Sequence, residues 1–185
     1  MNIFYLHEDP IQNAKWHVDK HVVKMVTEYA QLLSTAHRVL DGTEYEGKTA
    51  NGRRIKRWRL PDEREEKLFK ASHVNHPCNV WVRESKSNYR LMYQIYMACL
   101  AEYTYRYGKI HGASKPSLHL LRAPNNIKDI GLTQLPQAMP EECKVKDNPI
   151  QGYKNYYINY KNGFANWKNR TKPEWYKEQN ADIHI

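Results

Sequence analysis

The chain has 185 residues, enough for a single domain (1–185) whose core needs no disulfide or metal staple. Its 29 basic against 20 acidic side chains leave a net charge of +9, which favours an anionic partner, nucleic acid ahead of a membrane surface or free nucleotides. No apolar run of about 18 residues is present, which excludes a transmembrane helix.

The opening MNIFYLHEDP lacks the charged and apolar regions of a signal peptide, and the three cysteines (Cys78, Cys99 and Cys143) are far apart and unpaired by any metal-type spacing. A cytoplasmic protein with reduced thiols is expected. Tyrosine is abundant, with 14 copies against three phenylalanines. Tyr and Trp among Lys and Arg suit stacking on bases as well as packing. The chain has no Gly-rich phosphate loop, nucleophile elbow or dinucleotide fingerprint, so no cofactor is expected. Helix-turn-helix, zinc-finger and RNA-recognition signatures are absent too.

In chain order, NIFYL (2–6) is a short apolar segment that packs the N-terminus on the core. Asp9-Pro10 starts a long first helix that runs to about Leu40 and stops at Asp41-Gly42. Within it Val18, Val22, Met25, Tyr29, Leu32 and Ala36 recur at steps of four and three, the buried seam of an amphipathic helix. One position earlier, His17, His21, Lys24, Glu28, Gln31 and Thr35 repeat the steps, about 100° around the helix at the core margin. Residues 43–60 form a basic loop with Arg53, Arg54, Lys56, Arg57 and Arg59 around Trp58, which suits a solvated or a phosphate-contacting loop equally. Leu60-Pro61-Asp62 opens a second helix to about Ser72, broken by the His73–Pro77 stretch. A third helix spans about Cys78 to Tyr107 and ends at Gly108. Residues 116–122 make two helical turns, and 123–148 form a Pro-rich wrapping loop. The last long helix starts at Asn148-Pro149, with Ile150, Tyr153, Tyr157, Tyr160, Phe164 and Trp167 as its core face. A turn at 172–177 follows. No β-strand alternation is evident, and the predicted fold is all-α: three long helices with shorter ones between.

Two constellations could do chemistry. His17 and His21, four residues apart, could ligate a metal with Glu28 or with His73 and His76, although the pattern lacks the Glu that follows the first His in zinc peptidases. Glu28, mid-helix beside the apolar seam, suits general acid–base work, or else a surface ion pair with Lys24. The segments 53–59, Tyr103–Lys109 and the 167–177 tail add a basic and aromatic periphery that could track a nucleic-acid backbone.

Three segments carry a resemblance to a known family: Asp19-x-His21-x6-Glu28; His76 leading into a helix that ends Ala101-Glu102-Tyr103-x2-Arg106-Tyr107-Gly108; and Pro173-x-Trp175-Tyr176-Lys177. In that order they resemble the pyrimidine-dimer DNA glycosylases of the phage endonuclease V type, over roughly a third of the chain. The resemblance implies an all-α fold and an enzyme acting on a damaged or modified pyrimidine nucleotide in DNA, double-stranded by preference; the residues leave the oligomeric state open, with a monomer favoured.

It also implies a glycosylase or glycosylase/AP-lyase mechanism. In that family an N-terminal α-amine attacks the sugar C1′ to form a Schiff base, and a helix-one glutamate stabilises the sugar cation. Glu28 and His21 take the catalytic positions, with Met1 or Asn2 as the source of the amine. Lys24, Gln31, Arg53, Arg54, Arg57, His76, Arg106, Lys172, Trp175 and Tyr176 become candidate contacts to DNA. The family's nucleophile is a threonine uncovered by loss of the initiator Met, whereas this chain has Asn2, which shifts the amine by one residue. Its arginines before and after the glutamate are Thr27 and Gln31 here. Two other functions remain open from the residues: a metal-dependent nucleotide or nucleic-acid hydrolase using His17 and His21, and a non-catalytic nucleic-acid-binding or host-interaction protein.

Overall fold

A central helix, α2 (Asp19–Asp41), forms because its apolar residues fall on one stripe. Val18, just ahead of it, and Val22, Met25, Tyr29, Leu32 and Ala36 within it are all buried in the core. Each such side chain contributes roughly 1.5–3 kcal/mol on burial, so this stripe fixes the helix in place. The computed structural model describes residues 1–176. α4 (Pro77–Glu84) and α5 (Lys86–Tyr107) pack on α2, and α1 (Pro10–Trp16) packs on α5, with the short α3 (Arg64–Lys67) and α6 (Ser117–Leu120) in the connections. α7 (Pro149–Tyr160) closes the core with Tyr153 and Tyr157, both fully buried. None of the described helices is long and apolar enough to cross a membrane.

The fold is mostly helical but not all-α. Residues 43–60 are not a loop: β1 (Thr43–Lys48) and β2 (Arg54–Arg59) pair antiparallel, with Thr43 opposite Arg59 and Lys48 opposite Arg54. The turn closes at Gly52, whose φ of 75° is the left-handed region that glycine adopts without strain. Both strands lie on the surface, so their alternation is between exposed and half-buried residues rather than between polar and apolar ones. Gly42 joins α2 to β1 where a Cβ would press on the Arg38 carbonyl and the Trp58 Cβ.

Other boundaries move as well. The first long helix is two, because the chain is extended at His17 and Val18. The second predicted helix shrinks to the four residues of α3, and its remainder runs as an irregular segment across the end of α2. The third divides at Ser85, whose side chain leaves the extended backbone to cap Ser87 and start α5. Gly108 ends α5 in the left-handed conformation, as its position predicts. α7 stops at Tyr160, so Tyr160 and Phe164 are exposed rather than core, while Trp167 is buried from a later turn.

Candidate functional site

The site is built where the N-terminal segment lies along α2. Ile3 and Leu6 are wholly buried, and two hydrogen bonds fix their path: Phe4 N–H donates to the Tyr29 hydroxyl at 3.2 Å, and Leu6 N–H to Asn13 Oδ1 at 2.7 Å. The Phe4 ring stacks on His21 with centroids 4.0 Å apart. From there the chain runs back along α2, so that the α-nitrogen of Met1 reaches Glu28 Oε2 at 3.4 Å. His21 and Glu28 are two turns apart on the helix, about 10.5 Å of rise, which three extended residue steps span.

Glu28 holds a second cation on its other oxygen, Lys24 Nζ at 3.4 Å to Oε1. The carboxylate is 17 % exposed and Lys24 is 66 % exposed, so the pair lies at the edge between core and solvent. Met1 is held from the other side by Asn79, whose Nδ2 lies 3.4 Å from the Met1 Sδ. The same Nδ2 donates to the carbonyls of Ser72 and His73, each at 2.8 Å. His76 caps α4 by accepting the Cys78 N–H on Nδ1, which leaves its proton on Nε2. Burial, then the nearby α-amine and His73, lower the His76 pKa against an opposing pull from Glu28. A neutral imidazole, a carboxylate and an amine thus share one partly dry corner. Such a corner can move a proton from the amine to the carboxylate and hold a developing cation.

Beside this corner lies an open cleft of about 880 Å³ between the β-hairpin and residues 69–75, floored by Gln31 of α2. Gln31 follows Glu28 by one helical turn. Arg57 Nη1 crosses to the Ala71 carbonyl at 2.7 Å. Arg38, only 3 % exposed, ties both walls from behind, with Nε on the Phe69 carbonyl at 2.6 Å and Nη1 on that of Trp58 at 3.0 Å. Trp58 and His73 carried other expectations in the sequence, the centre of a basic loop and a possible metal partner, whereas Asn79 and Phe69 were not singled out at all. The HPCN stretch at 76–79 was the one local signal for Asn79, and the others depend on the tertiary path.

The remaining predicted residues disperse. His21 is 5 % exposed, bonded through Nδ1 to the Tyr157 hydroxyl at 2.7 Å and roofed by Phe4. Burial, followed by His17 and three lysines, lowers its pKa to about 2, so it is neutral and works as a positioning residue for the N-terminal segment. His17 is not on α2. Its Nδ1 donates to the Asn13 carbonyl at 2.8 Å, so Nε2 accepts from the Tyr29 hydroxyl at 2.7 Å. With both ring nitrogens engaged, it offers no lone pair to a metal shared with His21, and no cluster of three or more potential metal ligands occurs among the described residues. Arg106 is buried in ion pairs with Glu102 and Asp19 and is part of the scaffold, not an exposed contact.

On the hairpin, Arg53 is exposed in the turn and Arg54 pairs with Glu46 at 3.4 Å. Trp175 packs on Trp16 and Tyr157, and Tyr176 is buried against Trp167. Lys172 and Trp175 line a separate hollow of about 530 Å³ with Trp16 and Arg170, which shares no residue with the cleft at Gln31. Lys177 lies outside the described residues. Asn2, half-buried, is the second residue of the segment and leaves the amine to Met1.

No family model, curated protein or solved structure matches the chain.

Proposed function

We propose that the chain is a DNA glycosylase or glycosylase/AP-lyase acting on a damaged or modified pyrimidine nucleotide, with the Met1 α-amine as nucleophile and Glu28 as its partner. The 3.4 Å approach of the Met1 nitrogen to Glu28 carries this reading. It agrees with the resemblance to the pyrimidine-dimer glycosylases, in which an amine and a helix-one glutamate act on one sugar. The net charge of +9 suits a DNA partner, with duplex favoured.

In this mechanism the amine lone pair forms a bond to C1′ while the C1′–base bond breaks and the base leaves with that electron pair, taking up a proton. Glu28 accepts the proton that the amine loses. The nitrogen lone pair then forms the second C1′–N bond as the C1′–O4′ bond breaks, and the ring oxygen keeps that electron pair and takes the proton back from Glu28, leaving a protonated Schiff base between Met1 and C1′. Strand cleavage follows by loss of a C2′ proton and departure of the 3′-phosphate. The amine lone pair is the nucleophile, and the Glu28 carboxylate, 3.4 Å away, is placed to take its proton. Borohydride reduction on an abasic or dimer-containing duplex tests the reading: it requires a covalent adduct that depends on Glu28. A protein that binds DNA in a salt-dependent way, gives no adduct, and is indifferent to Glu28→Gln is a binding protein instead.

A further inference from the structure

We propose that the cleft over Gln31 is the receiving pocket for the nucleobase attached to the sugar at Met1 and Glu28. This rests on the function proposed above and adds where the base goes and what recognises it.

Position is the first argument. Gln31 is one turn beyond Glu28, about 4.5 Å along the helix axis, within the span of one nucleotide. From the opposite wall, the Ser72 and His73 carbonyls are bound by the Asn79 amide that also contacts Met1. The cleft is therefore joined to the amine and carboxylate by two separate structural links. A base leaving C1′ in this direction needs no second route through the protein.

Chemistry is the second. The lining includes two aromatic residues, Trp58 and Phe69, three cations, Lys56, Arg57 and Lys70, and the carboxamide of Gln31. Rings suit the face of a base, cations suit its phosphate, and a carboxamide offers both a donor and an acceptor to its edge. At about 880 Å³ the cleft also has room for a whole nucleotide.

Pre-organisation is the third. Arg38 and Arg57 together fix the hairpin to the 69–75 segment by three hydrogen bonds to carbonyls. His73 holds φ at 49°, an unfavourable conformation for a residue with a Cβ. Its carbonyl bond to Asn79 and the 2.6 Å contact of its Nδ1 with the Ser72 hydroxyl hold it there. Strain of this kind persists where surrounding contacts over-determine it, and here it shapes one wall of the cleft.

The test is an NMR titration of the full chain with thymidine 5′-monophosphate and, separately, with inorganic phosphate. The expected result is a saturable shift of the Trp58 indole N–H and the Gln31 carboxamide with the nucleotide and not with phosphate. Trp58→Ala should weaken nucleotide binding about tenfold, the scale of one lost ring–base stack, with partial rescue by Trp58→Phe. Nucleotide shifts that match those of phosphate, or no shift at Trp58 and Gln31 at millimolar nucleotide, overturn the proposal. Borohydride trapping run alongside separates the two claims. An adduct without cleft shifts sinks the pocket alone, and cleft shifts without an adduct uphold the pocket and sink the lyase chemistry.

Discussion

The carboxylate of Asp19 meets the guanidinium of Arg106 at 2.9 Å, with the arginine side chain fully buried. The same cation reaches Glu102 at 2.8 Å and the carbonyls of Lys15 and His17, while Asp19 also accepts the Lys168 N–H at 2.8 Å. Two residues drawn from separate motifs thus bind each other and join the α1–α2 junction to α5 and to the C-terminal segment. Arg106→Ala strands Glu102 with Arg170 alone and leaves two carbonyls unpaired. The expected loss is about 3–5 kcal/mol of unfolding free energy, read by urea denaturation, with Arg106→Lys recovering only part because an ammonium lacks the fork.

How much of this was legible follows from where each signal resides. The six-residue seam from Val18 to Ala36 is local periodicity, and every member is buried as its spacing predicts. Gly108 and Pro149 are local punctuation, and they end and start helices where expected. The break at His17–Val18 has no Gly or Pro to announce it; it is held by Asp19 and Arg106, which meet across 87 positions. The hairpin escaped because its half-buried positions include Gly47 and Arg57, which break the polar–apolar alternation that marks a strand. Glu28 and an N-terminal amine could both be named from the sequence, but the 3.4 Å approach of one to the other could not. That approach depends on the path of residues 2–6, set by the Tyr29 hydroxyl and by stacking on His21.

Tyr29→Phe removes one hydroxyl that serves both the Phe4 N–H and His17 Nε2. Two buried groups lose their partner at once, so a destabilisation of about 1–3 kcal/mol is expected. Because the Phe4 bond guides the N-terminal segment, amine-dependent chemistry should fall more than stability does. Thermal melts and adduct yield, measured on the same samples, check both halves.

Acid should loosen the fold before its carboxylates titrate. Burial is the first cause that lowers both His17 and His37 from 6.5 to about 4. A group whose folded pKa is depressed contributes stability that is present above its unfolded pKa and lost as pH falls through the folded value. Stability should therefore decline from about pH 6.5 toward pH 4, by on the order of 3 kcal/mol per histidine at the limit. Unfolding free energies across that window check it, and His37→Gln should flatten the slope.

Under the proposed function, the hairpin cations differ in how much charge they can lend to DNA. Arg54 and Lys56 are matched across the strands by Glu46 and Glu44, whereas Arg53 has no carboxylate in ion-pair range among the described residues. Arg53→Ala should lower the slope of log affinity against log salt by about 0.9, the share of one phosphate contact, and Arg54→Ala by less. Fluorescence anisotropy on one duplex at several salt concentrations reads the difference.

The central claim is that the Met1 amine and Glu28 act together on one sugar. Borohydride reduction of the protein on an abasic-site duplex, followed by peptide mass mapping, addresses it directly. The account predicts an adduct on the peptide beginning at Met1, reduced at least about a hundredfold by Glu28→Gln. No adduct, an adduct on Lys24, or one that forms equally well without the Glu28 carboxylate would contradict it.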